Sequence, residues 1–274
     1  MRVITVDLYE HFGVNKPQGA RGKLTAYVND YRIDRLRPAM LIVPGGGYSF
    51  CSEREREPIA NYYIAEGFQS FTLDYSVAPV KYPQQLIEGC MAVAYIKENA
   101  EKFYVDKNHV ATIGFSAGGH LAGMLATITD EQVVKDALKE KASLAKPDAV
   151  ILAYPVITLV GKAHQATGDN LCGEDIKLKE YLSLDKRVTP SSVPAFIWST
   201  VNDQIVPVES SLYMAAAYRE NGVPFELHIF EDGIHGLSLA NEEVDSVNVP
   251  VQAWKGACAT WLKSRGFELI KRSI

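Results

Sequence analysis

The sequence predicts an α/β protein: a mostly parallel central sheet with helices packed on both faces. Three observations predict it. Short runs rich in β-branched residues recur along the chain, and helix-length segments separate them. The runs are apolar almost throughout, as strands buried on both faces must be. The 274 residues, 47% of them hydrophobic, are enough for one large domain with a substantial core.

Taken in order, "MRVITVDLYEHFG" has the apolar alternation of a strand, and the first 35 residues read as antiparallel edge strands. Buried strands are expected at 39–45 (AMLIVPG), 68–75 (FQSFTLDY), 109–115 (HVATIGF), 148–154 (DAVILAY), 193–200 (VPAFIWST) and 224–230 (PFELHIF). Helices are expected at 58–67, closed by Gly67, and at 82–103, where apolar residues fall at helical spacing. Two more should run from Pro207 to Gly222 and over 249–267, where Trp254, Cys258 and Trp261 share a face. No repeat or linker interrupts the chain, so residues 1–274 are expected to form a single domain. The segment 156–190 is longer than an ordinary connection and reads as an insertion or lid.

Charge and cysteine usage narrow the function. The net charge is −5 and no Lys/Arg stripe is present, so nucleic acid is not an expected partner. No run approaches the roughly 18 apolar residues of a membrane span, and the N-terminus lacks a signal-peptide core. No membrane partner and a cytoplasmic location are therefore expected. Cys51, Cys90, Cys172 and Cys258 lie far apart without a CxxC pair, which suits free thiols in a reducing compartment.

The stretch "IGFSAGGH" (113–120) carries the chemistry. Gly114-Phe115-Ser116-Ala117-Gly118 fits G-x-S-x-G, with a strand before it and helix-compatible residues after it. Glycines two residues either side of a serine relieve collisions on a sharp strand-to-helix turn and leave the hydroxyl exposed. A glycine-rich turn that merely packs tightly would share the pattern. A serine nucleophile also needs a base and an orienting acid, which follow in the chain order Ser, Asp, His. Among six histidines, His235 in "EDGIHGLS" sits in a glycine-containing loop after the last apolar strand and is the candidate base. His120 is expected to pack locally, and His228 and His109 to be structural; His11 and His164 fall in poorly defined segments. Asp203 directly follows the strand at 193–200 and is the candidate acid. Asp232, three residues before His235, is the competitor but is expected to turn the same loop. "IVPGGGYSF" then offers side-chain-free backbone N–H groups to an oxyanion, the other donor being the Ala117 N–H. No nucleotide-binding glycine pattern is present.

With these residues in hand, the chain resembles α/β-hydrolases of the esterase group that includes bacterial acetylxylan and feruloyl esterases and the hormone-sensitive-lipase relatives. "PGGGYSFCSEREREP", "YSVAP…YP", "GFSAGGHLA", "ND…VPV" and "FEDGIHGLSLA" carry the resemblance over 44–240. It implies an α/β-hydrolase fold and a serine esterase with catalytic Ser116, Asp203 and His235. The glycines of the family's oxyanion motif match 45–47, so Gly46, Gly47 and Ala117 inherit the oxyanion role. Pro44 replaces the family's common histidine, so the loop must be braced by other means; Arg54 is expected to brace it through a salt bridge. The short N-terminal sequence implies little or no cap.

The expected activity is that of a serine carboxylesterase acting on short-chain acyl esters, deacetylating a carbohydrate, with an acylated sugar as small-molecule partner. Tyr48, beside the oxyanion loop, is expected to line the substrate pocket. Neither a metal nor another cofactor is implied, and a homo-oligomer is compatible with the sequence. An amidase or peptidase such as an arylformamidase could use the same triad, and a non-catalytic ligand-binding role is the third class.

Overall fold

The computed structural model describes residues 1–272. Its strands are β1 (Arg2–Asp7), β2 (Lys23–Val28), β3 (Arg35–Val43), β4 (Gln69–Asp74), β5 (Val105–Phe115), β6 (Ala149–Ala153), β7 (Ala195–Thr200) and β8 (Phe225–Phe230). They lie side by side in the order β1-β2-β4-β3-β5-β6-β7-β8. The pairs β1/β2 and β2/β4 are antiparallel, and every later pair in that row is parallel. A short β9 (Ile270–Lys271) pairs with the start of β3. The helices are α1 (Leu8–Phe12), α2 (Glu57–Ala65), α3 (Gln84–Glu98), α4 (Ala117–Thr127), α5 (Gln132–Leu138), α6 (Gln165–Cys172), α7 (Ile176–Tyr181), α8 (Glu209–Glu220) and α9 (Val249–Lys263).

Strand pleat splits the apolar residues between two cores. Along β3, Leu41 and Val43 join one core while Met40 and Ile42 join the other. The first core is completed by α1, α3, α4 and α8, and the second by α2 and α9, whose Trp254, Cys258 and Trp261 are buried as their spacing predicts. A sheet covered on both faces explains why the inner strands are apolar runs. None of the helices is long and apolar enough to cross a membrane among the described residues.

Several boundaries depart from the sequence reading; β5 begins at Val105 and α9 ends at Lys263, each four residues from the expected limit. The first strand stops at Asp7, whose carboxylate accepts the Tyr9 and Glu10 N–H groups and starts α1; Gly13 ends that helix in the left-handed region. The helix expected to reach residue 103 ends at Glu98, where the Asn99 side chain bonds the Tyr95 carbonyl. The 156–190 segment contains α6 and α7. It returns on itself through the Leu184 N–H to Ile157 carbonyl bond.

Strand order reverses between β3 and β5: the chain moves outward from β3 to β4, then returns to the other side of β3. In open parallel sheets the loops at the carboxyl ends beside such a reversal diverge and leave a crevice. The loops after β3 and β5 carry Gly45–Gly47 and Ser116.

Candidate active site

Ser116 sits between β5 and α4 with φ 53° and ψ −117°, a strained conformation for a residue with a side chain. Its N–H is held by the Ala153 carbonyl of β6. The flanking glycines are sterically required. A Cβ on Gly114 would lie 2.1 Å from the Gly118 carbonyl oxygen, and one on Gly118 would lie 2.2 Å from that of Val43. β3, β5 and α4 therefore approach more closely than any side chain allows. The Ala117 N–H opens α4 and has no acceptor among the described residues.

Three side chains distant in sequence meet here. His235 Nε2 lies 2.8 Å from Ser116 Oγ, and His235 Nδ1 lies 2.6 Å from Asp203 Oδ2. A carboxylate only accepts, so Nδ1 carries the proton and Nε2 is left to accept from the serine hydroxyl. The Asp203 side chain is 1% exposed, and its Oδ1 accepts the Ile205 and Val206 N–H groups, which lock its rotamer. Asp232, the competing acid, instead bonds Asn202. The histidine loop is tied down by Thr200 Oγ1 to the Gly233 carbonyl and by Trp254 Nε1 to the Ser238 carbonyl.

The glycine loop after β3 is asymmetric. The Gly45 N–H donates to Glu55 Oε2 at 2.7 Å, while the Gly46 and Gly47 N–H groups have no acceptor among the described residues. Bracing comes from three places. Tyr75 donates to the Pro44 carbonyl and Asn170 to the Gly47 carbonyl. The buried Glu55 carboxylate accepts from Gly45 N–H and from Tyr154 Oη–H, and Tyr154 in turn accepts the Ser238 N–H. One network thus joins the glycine loop to the histidine loop. Burial pushes the Glu55 carboxyl above its ordinary value, against the pull of these two hydrogen bonds. Arg54, expected to brace the loop by a salt bridge, forms none among the described residues and faces the cleft. Its neighbour Glu55 points inward in its place. Glu55 and Asn170 escape sequence reading, because one hides in a charged run and the other in the unpatterned 156–190 segment.

Tyr48 is a correction. Expected to line the substrate pocket, it is fully buried, with its hydroxyl 3.0 Å from His120 Nδ1. At φ 57° it turns beneath the loop, where its ring packs edge-on against Tyr75 and His120. His120 Nε2–H donates to the Leu182 carbonyl, so Nδ1 accepts from Tyr48. Burial pulls the His120 pKa down to about 4. The unfolded chain takes up this proton below about 6.5, and the folded chain does not until about 4. Stability contributed by neutral His120 is therefore present above pH 6.5 and lost as pH falls toward 4. Relative to His120→Gln, the wild type is expected to lose about 2 kcal/mol between pH 7 and pH 5. Urea unfolding of both proteins at the two pH values checks this; a constant difference would refute it.

Ser116 and His235 open into a cleft of about 230 Å³. Phe50 and Ile205 give it apolar edges, and α6 with the turn before it contributes His164, Ala166 and Asn170. His164, which had no defined context in the sequence, holds Thr167 Oγ1 through Nδ1; burial and the nearby His235 lower its pKa. The 156–190 segment thus forms one wall of the cleft.

The BD-FAE family matches residues 26–218. The sequence is 39% identical over 80% of the chain to endo-1,4-beta-xylanase B of Butyrivibrio fibrisolvens. It is 28% identical over 83% of the chain to an acetylxylan esterase of Xylanibacter ruminicola. The matches span only 35% and 46% of those longer proteins. An acetyl ester-xyloside bifunctional hydrolase from Caldicellulosiruptor lactoaceticus shares the structure with a TM-score of 0.84 and 32% identity over 97% of both chains. The carboxylesterase Cest-2923 of Lactobacillus plantarum WCFS1 does so with a TM-score of 0.81 and 28% identity, over 98% of this chain and 99% of that one. Fold and relatives define the class: the chain is an α/β-hydrolase, and the proteins it resembles include ones named as esterases. Within it, the chain belongs to the BD-FAE family.

Proposed function

We propose that this protein is a serine carboxylesterase that removes short acyl groups, acetyl above all, from carbohydrate. The observation that carries the proposal is the continuous hydrogen-bonded line from Asp203 through His235 to Ser116, ending in a small cleft. Ser116 Oγ attacks the ester carbonyl as His235 Nε2 takes its proton, and Asp203 holds the ring and stabilises the imidazolium. The oxyanion is received by the unengaged N–H groups of Gly46, Gly47 and Ala117, with the N-terminus of α4 adding favourable potential. His235 then returns the proton to the leaving alkoxide. Water repeats the sequence in reverse roles and frees the acid.

The short-acyl preference is supported by kinship with proteins whose names specify acetyl esters. The carbohydrate preference is supported by kinship with proteins described as an acetylxylan esterase and an acetyl ester-xyloside hydrolase. The test pairs covalent trapping with a substrate series. Diethyl p-nitrophenyl phosphate should phosphorylate the peptide containing Ser116, seen as a mass increment on that residue. The activity should favour p-nitrophenyl acetate over octanoate and release acetate from acetylated xylo-oligosaccharide. A label elsewhere would refute the nucleophile; a preference for octanoate, or turnover of amides alone, would refute the substrate class.

A further inference from the structure

We infer that Arg54 forms an anion subsite for the leaving alcohol, so that the preferred acetyl ester is carried by a sugar acid, a uronate, and not by a neutral sugar. This rests on the esterase reading above and specifies its substrate.

The observation is one of pairing within "SEREREP". Glu53 pairs with Arg56, Glu57 accepts from the Tyr27 hydroxyl, and Glu55 is held by Gly45 N–H and the Tyr154 hydroxyl. Arg54 alone has no side-chain acceptor among the described residues, although it is flanked by acidic residues on both sides. Its main chain is fixed, since the Arg54 carbonyl accepts from Ser238 Oγ at 2.7 Å. Its guanidinium lies against Gly236, where a Cβ would come within 3.0 Å of Nη2. The residue after the candidate base is thus a glycine with a guanidinium laid across it. In a protein of net charge −5, a guanidinium that lines the cleft beside Ser116 and His235, with no carboxylate hydrogen-bonded to it among the described residues, offers its donors to an anion.

The reaction places that site on the alcohol side. His235 must hand its proton to the leaving oxygen, so the alcohol departs along the imidazole edge. Gly236 and Arg54 extend the cleft from that edge. The planar fork of donors suits a carboxylate, which it can take in bidentate fashion. The remaining charged wall residue, Glu55, acts on Arg54 through space but forms no hydrogen bond or salt bridge with it among the described residues, because its two oxygens are turned to Gly45 N–H and the Tyr154 hydroxyl.

The test compares kcat/KM for a monoacetylated methyl glucuronide, the equally acetylated methyl glucoside, and the hemisuccinate of methyl glucoside, whose charge lies on the acyl side. The wild type should favour the acetylated glucuronide over the acetylated glucoside by about tenfold at low salt, and the ratio should shrink as ionic strength rises. The ratio should approach one in Arg54→Gln and fall below one in Arg54→Glu, whatever the absolute rates of the variants. A wild-type ratio of one or less, a ratio untouched by Arg54→Gln, or a preference for the hemisuccinate would each overturn the subsite. Equal hydrolysis of both acetylated sugars would remove only the subsite; failure of both, with no label on Ser116, would remove the esterase reading itself.

Discussion

Asp203→Asn is expected to lower kcat by about 10⁴-fold with the fold intact. The asparagine carbonyl can still accept the Ile205 and Val206 N–H groups that Oδ1 accepts now, so the loop after β7 keeps its anchor. The other atom, 2.6 Å from His235 Nδ1 in the native protein, becomes an NH₂ donor. Nδ1 must then accept, the ring proton moves to Nε2, and Nε2 can no longer take the proton of Ser116 at 2.8 Å. The defect is one of tautomer and charge, and the circular dichroism spectrum and unfolding midpoint should stay near wild type. Asp232→Asn should retain near-wild-type turnover, because Asp232 faces Asn202. The reverse pattern, with Asp232→Asn inactive and Asp203→Asn active, would show that the acid has been misassigned.

Glu55→Ala is expected to lower kcat by about 10²–10³-fold, with a much smaller effect on KM, and to destabilise the protein by about 3 kcal/mol. Removing the carboxylate strands two buried donors, the Gly45 N–H and the Tyr154 hydroxyl. Each stranded donor costs about 1–3 kcal/mol. The kinetic effect follows from what those donors hold. Gly45 immediately precedes the Gly46 and Gly47 N–H groups, and Tyr154 holds Ser238 in the loop of His235. Loosening both moves oxyanion donors and base together, and an oxyanion donor acts only in the transition state, so kcat falls while ground-state binding is spared. Glu55→Gln should be intermediate, since its carbonyl can still accept from Gly45 while its NH₂ cannot accept from Tyr154. Steady-state kinetics and thermal unfolding of the two variants measure this. A Glu55→Ala enzyme with unchanged kcat would refute the coupling of the two loops.

Much of the frame was legible because it is written locally. The apolar runs at 39–45, 68–75, 109–115, 148–154, 193–200 and 224–230 all coincide with strands β3 to β8; the inner ones cannot hide their composition because both faces are buried, while the edge strand β8 is half-buried throughout. Helix ends were less legible. The helix expected over 82–103 stops at Glu98, where the Tyr95 carbonyl takes both the backbone N–H and the side-chain amide of Asn99, a detail the apolar spacing does not carry. The glycines at 114 and 118 signalled close approach, which the 2.1 and 2.2 Å positions of a would-be Cβ explain. Tyr48 misled because adjacency to a glycine loop says nothing of direction. A residue at φ 57° can point into the cleft or beneath it, and His120, 72 positions away, draws it beneath.

By itself, then, the sequence determined the layered α/β frame, the strained serine turn, and the candidates Ser116, Asp203 and His235 in chain order. Those are properties of composition, steric size and covalent sequence, which each segment carries wherever it goes. Only the tertiary structure decided how the glycine loop is held, which of three glycine N–H groups is already engaged, and that Glu55 turns inward while Arg54 faces the cleft. It also decided that the 156–190 segment reaches back through Asn170 to Gly47, a hydrogen bond spanning 123 residues. Such contacts depend on surfaces that exist only after the sheet has brought distant loops to one edge. The direction of an individual side chain there is set by partners that no local pattern names.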